Sequence, residues 1–294
     1  MINYNSPAEL KNFLDHEGLA MRKKFGQNFL INPQIRNSLV KALDAHNEDD
    51  VWEIGSGIGA MTSILLEKGM IVKAFEIDIG FIRILKQFFS HDKNFCLIEG
   101  DVMETWPLHA AAPFLIGNLP YNAAAALLAD LIERGRVFSR MVVTVQKETA
   151  LRMAASAGSK DYSSFSVLCA SVYNVKPIML IKRESFYPQP NVDSMGVLLE
   201  SKRAGSEAKY PAVFYPLVRS LFASRRKTVK NNLFAFLSAR ADSYFKNKTA
   251  LELCFAVLRE NNINENERAE NLDINAFLSL AISIDNMRLF KQGC

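Results

Sequence analysis

The sequence predicts an α/β protein: a mostly parallel, seven-stranded sheet covered by helices and followed by a smaller all-helical domain. Three observations predict it. Strand-like and helix-like segments alternate through the first two thirds of the 294 residues, the pattern of a parallel sheet with helical crossovers. A glycine-bearing loop, Glu53-Ile54-Gly55-Ser56-Gly57-Ile58-Gly59-Ala60, follows the first of those strands and opens a helix. Beyond Ser201 the apolar residues change to helical spacing.

Taken in order, segments 51–55, 71–78, 94–101, 114–118 and 140–146 are rich in apolar and β-branched residues, and each ends in polar or glycine positions. Such runs suit buried strands. Between them, 60–68, 79–89 and 123–134 carry helical patterns. Two further apolar runs, 172–182 and 194–200, flank the proline-rich turn Tyr187-Pro188-Gln189-Pro190. They predict a hairpin at the sheet edge, where such a connection is tolerated. Segment 155–162, bearing Gly158 and several serines, reads as a mobile loop able to cover a site. Residues 202–209 are polar and read as a linker. From Pro211 onward, Val213, Leu217 and Leu221, then Val229, Leu233, Phe236 and Leu237, then Leu251, Phe255 and Leu258, and finally Phe277, Leu280 and Ile284 recur at helical spacing. The chain thus divides into an N-terminal extension over 1–20, an α/β domain over 21–202 and a helical domain over 203–294.

Composition bounds the function. With 49% hydrophobic residues the chain can bury a real core. The net charge of +4 is modest, but its distribution is uneven. Residues 202–248 hold eleven Lys or Arg against two acids, and the tail beyond Thr249 holds seven acids against four bases. A localised basic face of this kind concentrates a polyanion near a site. Cys96, Cys169, Cys254 and Cys294 form no C-x-x-C pair, and the four histidines are equally scattered. No metal site is expected, and the thiols read as reduced, cytoplasmic residues. No apolar run reaches the length of a membrane span. Met1 to Asp15, with Glu9 and Asp15 and no apolar core, is neither a secretory signal nor a transit peptide.

The chemistry lies at strand ends, where open α/β sheets bind ligands. The glycines of the 53–60 loop permit a tight turn and close approach to a ligand. Glu76 follows about twenty residues on, at the end of the second strand, where a carboxylate accepts from ribose hydroxyls. Gly55, Gly57 and Ala60 also satisfy the dinucleotide pattern, so this loop alone does not separate a nicotinamide enzyme from a methyltransferase. Three further features shift the balance. Glu53 is placed to face a cationic amino-acid moiety, Asp101 ends the third strand within reach of an adenine amino group, and Asn118 ends the fourth. Glycine loop, acid, acid and asparagine at four successive strand ends resemble the Rossmann-like, S-adenosylmethionine-binding methyltransferase fold. Taken singly, Asp101 also has a structural reading, as a helix cap.

Asn118-Leu119-Pro120-Tyr121 suits the holding of an exocyclic aromatic amine. The lone pair of such an amine is delocalised into its ring. Two acceptors aimed at its hydrogens, the Asn118 side-chain oxygen and the Leu119 carbonyl, draw the nitrogen toward tetrahedral geometry. Pro120 restricts Leu119 to extended backbone, and Tyr121 offers a stacking ring.

With these residues placed, the chain closely resembles the rRNA adenine N6,N6-dimethyltransferase family. The resemblance begins at Arg22-Lys23-Lys24-Phe25-Gly26-Gln27-Asn28-Phe29-Leu30 and runs through residues 53–60, Glu76-Ile77-Asp78, Gly100-Asp101 and 118–121. It continues through Val145-Gln146-Lys147-Glu148 and Phe186-Tyr187-Pro188-Gln189-Pro190-Asn191-Val192-Asp193-Ser194. In the helical domain it takes in Phe222-Ala223-Ser224-Arg225-Arg226-Lys227-Thr228 and Arg268-Ala269-Glu270. It is strongest to the small-subunit branch, which modifies two adjacent adenosines near the 3′ end of 16S rRNA within a partly assembled small subunit, and whose loss is associated with kasugamycin resistance. The resemblance implies S-adenosylmethionine as cofactor and a monomer acting in the cytoplasm. It implies that Asn28 and the Leu30 backbone close over the methionine portion, that Gly55 and Gly57 belong to the cofactor loop, that Glu76 holds the ribose and that Asp101 holds the adenine. It places Asn118 between cofactor and target base, and Tyr121 and Phe186 on either face of that base. Arg22, Lys23, Lys24, Arg225, Arg226 and Lys227 are the candidate RNA contacts. The implied reaction is in-line attack of the adenine N6 on a sulfonium methyl, with no histidine or cysteine nucleophile.

Ser56 stands where the family often has proline, and Ala123–Ala126 replaces a more polar stretch. Residues before Gly18 extend beyond the family's usual start, and the sequence assigns them no role. Two rivals share the pattern: a large-subunit (23S) rRNA adenine methyltransferase conferring macrolide resistance, and a non-catalytic ribosome-assembly or transcription factor on the same fold. The helical domain with Arg225-Arg226-Lys227, and Leu119, argue against the first; an intact 118–121 set argues against the second.

Overall fold

In the computed structural model, residues 2–19, 27–202, 210–239 and 249–287 are described. The chain forms two compact units: Met1–Leu151 with Tyr173–Gly205, and Arg152–Val172 with Ser206–Cys294.

The first unit opens on helix α1 (Pro7–His16), where Pro7 occupies the first turn and the Ser6 side chain accepts from the Glu9 N–H. Strand β1 (Phe29–Leu30) leads into α2 (Pro33–Leu43), capped in the same way by Asn32. A proline at the start of a helix loses no internal bond, and a short polar side chain satisfies a free N–H there. The sheet follows: β2 (Asp50–Ile54), α3 (Thr62–Glu67), β3 (Ile71–Glu76), α4 (Ile79–Phe89), β4 (Phe95–Glu99), α5 (Val102–Thr105), β5 (Phe114–Asn118), α6 (Ala124–Glu133) and β6 (Arg140–Gln146). After α7 (Lys147–Met153) and α8 (Ser164–Val172) come β7 (Tyr173–Ile181), β8 (Phe186–Tyr187) and β9 (Ser194–Ser201).

Seven strands form one sheet in the order β4-β3-β2-β5-β6-β9-β7. The first five run parallel, and β9 lies antiparallel between β6 and β7. The predicted hairpin is present as β7 and β9. Pro177 stands on the edge strand, and the register shifts between Pro177 and Met179, where a missing N–H costs least. Val51, Trp52, Ile54, Leu115 and Ile116 are buried, as a sheet covered on both faces requires. From β2 the chain moves through β3 to β4 on one side, then crosses back to place β5 on the other side of β2. That reversal opens a crevice at the carboxyl ends of the two strands.

Close approach at this crevice depends on Gly117. A Cβ there would lie 2.8 Å from the Ile54 carbonyl oxygen and 2.9 Å from the Leu119 side chain. Gly117→Ala is expected to lower stability by about 1–3 kcal/mol through overpacking, read as a shifted urea midpoint; an unchanged midpoint would show that the strand ends yield.

The second unit is helical: α8, α9 (Phe214–Phe222), α10 (Val229–Ser238), α11 (Ala250–Glu260) and α12 (Ile274–Asn286). Its core gathers Val213, Leu217, Leu221, Leu233, Phe236, Leu258, Phe277, Leu280 and Ile284, with Tyr162 and Val167 among them. Thr228, Thr249 and Asp273 cap α10, α11 and α12, and Thr249 with Glu252 forms a full capping box. Segment 152–172 lies inside the span that the sequence assigned to the α/β domain, yet it packs with these helices. The 155–162 loop is pinned there. The Tyr162 hydroxyl donates to the Leu272 carbonyl at 2.9 Å, and the Gly158 N–H donates to the Glu270 carbonyl at 2.7 Å. The expected mobile cover is therefore an anchored loop, because Tyr162 reads as a loop residue in sequence but is a core residue in space. Among the described residues, no helix is long and apolar enough to cross a membrane.

Candidate active site

A cavity of about 350 Å³ opens at the carboxyl ends of β2, β3 and β5, within the size range of small-molecule sites. The β2–α3 loop forms its floor. Gly55, Gly57 and Gly59 have φ of 74°, 58° and 90°, a region that side chains other than glycine rarely adopt. A Cβ at Gly57 would meet the Phe29 ring at 3.0 Å, so the ring of β1 lies against the loop. The ring in turn packs on Phe81 of α4, with centroids 5.4 Å apart. Strand β1 pairs with β8, Leu30 opposite Phe186 and Phe29 opposite Tyr187. Two motifs separated by more than 150 residues are thereby joined at one wall.

Two buried carboxyl groups line the cavity. Glu53 is 2% exposed and accepts from the Thr62 hydroxyl at 2.6 Å. Burial pushes its pKa up to about 8, so it holds its proton well above the usual carboxyl range, and the neighbouring Glu76 adds to the rise. Glu76 accepts from the backbone N–H groups of Gly57 at 2.7 Å and of Ile77 and Asp78 at 2.9 Å. Burial raises it to about 7 against the pull of those three bonds. Glu76 thus ties the glycine loop to the end of β3. Asp101 also lines the cavity, and its Oδ1 accepts from the Met103 N–H at 2.9 Å, capping α5. The cap is present, and the residue still faces the crevice.

Asn118 ends β5 with its Nδ2 donating to the Asn28 carbonyl at 2.7 Å. A carbonyl only accepts, so the amide is held with its NH2 toward Asn28 and its oxygen away. Among the described residues neither the Asn118 Oδ1 nor the Leu119 carbonyl has a hydrogen-bond donor. The Leu119 N–H donates to the Thr144 carbonyl at 3.1 Å, and the Pro120 carbonyl takes the N–H groups of Ala123 and Ala124 that start α6. Pro120 lines the cavity beside Asn118, whereas the Leu119 side chain is buried beneath it. The Tyr121 hydroxyl is 2.6 Å from the Ser194 hydroxyl, and burial raises the Tyr121 phenol.

The structure brings Asn28, Leu30, Gly55, Gly57, Glu76, Asp101 and Asn118 to one cavity. The Leu30 carbonyl already accepts from Arg36. Phe186 is 3% exposed and packs with Leu30, Leu39, Val142 and Ile181. It is not among the cavity-lining residues, and neither is Tyr121. Stacking by Phe186 therefore requires its ring to leave that cluster. Arg22, Lys23 and Lys24 fall outside the described residues. In the helical unit Arg225 pairs with Glu270, Nη2 to Oε2 at 3.0 Å, and donates to the Lys160 carbonyl. Arg226 and Lys227 are exposed. The 222–228 and 268–270 motifs, distant in sequence, thus meet through Arg225 and Glu270.

Sequence reasoning missed Thr62, Arg36 and the whole of α1, and gave Ser194 no role beyond its place in the 186–194 motif. Two signals were available. Ser6-Pro7-Ala8-Glu9 has the spacing of a capping box. Arg36 interrupts the apolar face of α2 shared by Leu39, Val40 and Leu43, where a charge needs partners.

The model of the family described as ribosomal RNA adenine dimethylase matches residues 18–285. A Treponema denticola protein named ribosomal RNA small subunit methyltransferase A is 45% identical over 97% of each chain. The crystal structure of a dimethyladenosine transferase from Plasmodium falciparum superposes with a TM-score of 0.77 at 28% identity, covering 87% of this chain and 97% of that one. The structure of the 23S rRNA methyltransferase ErmE gives 0.61 at 18% identity over 87% and 99%, a likeness of fold. With this match running from the N-terminal segment to the last helix, and with the strand-end residues gathered at one crevice, the chain belongs to the ribosomal RNA adenine dimethylase family.

Proposed function

We propose that this protein transfers methyl groups from S-adenosylmethionine to N6 of two adjacent adenosines near the 3′ end of small-subunit rRNA, giving N6,N6-dimethyladenosine. The single observation that carries the reading is the Asn118 amide, turned by the Asn28 carbonyl so that its oxygen has no donor among the described residues at the cavity wall. Family membership and the name of the Treponema denticola relative support the choice of the small subunit.

The residues present fit the cofactor. Glycines with positive φ let its body approach the loop. Glu76 would hold the ribose hydroxyls, Asp101 the adenine amino group through its second oxygen, and Glu53 the ammonium of the amino-acid portion. When bound, the cofactor supplies a methyl group on a positively charged sulfur, an already activated donor. Asn118 Oδ1 and the Leu119 carbonyl accept from the two amine hydrogens of the target adenine and turn its lone pair out of the ring. Tyr121, and Phe186 once released from its cluster, stack on the extruded base; each such stack is worth about 1–3 kcal/mol. Positioning supplies most of the rate. A strong general base is unnecessary, because the amine becomes acidic once methylated and loses its proton to water. The substrate is a partly assembled small subunit in the cytoplasm, met by a monomer.

Transfer of tritiated methyl groups to under-methylated small subunits, with the nucleosides resolved by mass, tests this. Dimethyladenosine at two adjacent positions is expected. Label confined to large-subunit rRNA, or none, would overturn it.

Residues 152–172 and 206–294 supply the RNA-binding unit, and Arg22, Lys23 and Lys24 a second contact. Replacing Arg225, Arg226 and Lys227 together by Ala is expected to flatten the salt dependence of subunit binding by about two phosphate contacts rather than three. Glu270 already neutralises much of Arg225. An unchanged salt slope would remove the segment from the interface.

A further inference from the structure

Arg36 is the least expected residue at this cavity. It lines the crevice that holds Glu53, Asn28 and Asn118, and it is 4% exposed. One terminal nitrogen donates to the Leu30 carbonyl, the other to the Asn5 side chain, and Nε is buried without an acceptor. A buried guanidinium N–H without a partner is costly. Burial accordingly lowers the affinity of this side chain for its proton. No carboxylate is bonded to Arg36 among the described residues, so its charge is balanced only by neutral oxygens.

The N-terminal segment fixes this arrangement. Asn5 bonds the guanidinium, and the Tyr4 hydroxyl donates to the Ile58 carbonyl of the glycine loop at 3.1 Å. Leu10 and Leu14 of α1 pack with Ile31, Ile58, Phe81 and Ile84. Burial is the main cause that pushes the Tyr4 phenol up; Glu53 adds to the rise and Arg36 opposes it, so the acid and the guanidinium both lie within electrostatic reach of one ring. A buried carboxyl group and a buried guanidinium on one cavity are complementary to a zwitterion, an ammonium for the first and a carboxylate for the second. A guanidinium fork is the side chain best matched to a carboxylate.

We propose that Arg36, buttressed by Asn5 of the N-terminal segment, binds the carboxylate of the cofactor's amino-acid portion while Glu53 faces its ammonium. This rests on the cofactor reading above. Residues 2–19 then serve as a support behind the cofactor site, holding Arg36 in place.

The test is calorimetric titration of the full chain with S-adenosylhomocysteine and with its decarboxylated counterpart. Wild type is expected to prefer the intact compound by about tenfold or more, the size of a charge-assisted bond. Arg36→Leu, which suits the apolar face of α2, is expected to reduce that preference to under about threefold, with its affinity for the decarboxylated compound little changed. Asn5→Ala is expected to shrink the preference by roughly two- to fivefold; an unchanged preference there would overturn the buttress. Arg36→Leu that keeps the full preference, or that loses both compounds equally, overturns the assignment. Should that variant fail to fold, a wild-type preference below about threefold overturns it without any substitution. Wild type that binds neither compound sinks the cofactor reading itself, a different failure.

Discussion

Asn118→Ala is expected to lower methyl transfer to small-subunit rRNA by about 10²–10³-fold while changing the affinity for S-adenosylhomocysteine by less than about threefold. The size follows from the loss of a preorganised polar group aimed at a charge that develops only during reaction. The asymmetry follows from the bonding. Asn118 is held by the backbone of Asn28, and the carboxyl groups of the cavity stand on other strand ends. Single-turnover transfer and equilibrium titration measure the two quantities separately. Equal losses in both would make Asn118 a binding residue and remove the amine-shaping role; unchanged transfer would move the chemistry elsewhere.

The second large effect is a pH dependence set by Glu53. Its carboxyl group, ordinarily half-ionised near 4.5, is pushed by burial to about 8. Below pH 4.5 the folded and unfolded chains both hold this proton. As pH rises toward 8 the unfolded chain gives it up and the ligand-free folded chain does not. Stability present at low pH is therefore lost through this window and levels off above 8. Glu76 has the same sign up to about 7. Glu53→Gln removes the first share, so relative to wild type the variant is expected to gain of order 4 kcal/mol between pH 4.5 and 8.5. Urea midpoints at the two pH values measure this. Binding of a cationic amino-acid moiety favours the ionised form, so the affinity of wild type for S-adenosylhomocysteine is expected to climb between pH 6 and 8, with that climb reduced in Glu53→Gln to the share that Glu76 contributes below about 7. Parallel pH profiles in both proteins would show that Glu53 does not face the ammonium.

The strand ends were readable because each marker is local. A glycine loop after an apolar run, an acid about twenty residues on, Asp101 after Gly100, and Asn118 before proline each report a backbone requirement or a polar group at the edge of a buried strand. The helical unit was readable from its spacing, and Leu217, Leu233, Leu258 and Leu280 all stand in its core. The linker-based boundary did not anticipate that residues 152–172 pack with that unit, because Tyr162 and Val167 take their partners from residues far along the chain. Nor did it anticipate α1, whose Leu10 and Leu14 pack with Ile31, Ile58, Phe81 and Ile84 of later segments.

What the sequence by itself determined was the inventory and its order: seven strands, the glycine turn, the acids and the asparagine that follow them, and a basic helical region. Those features depend on neighbours within a few residues, through periodicity, capping and φ preference. Only the tertiary structure decided which way the Asn118 amide points, that β1 and β8 join two distant motifs, that Glu53 and Glu76 hold their protons so tightly, and that Arg36 reaches the cavity. Each of these is a balance of burial against contacts across the sheet, and that balance exists only once segments remote in sequence have displaced water from one another.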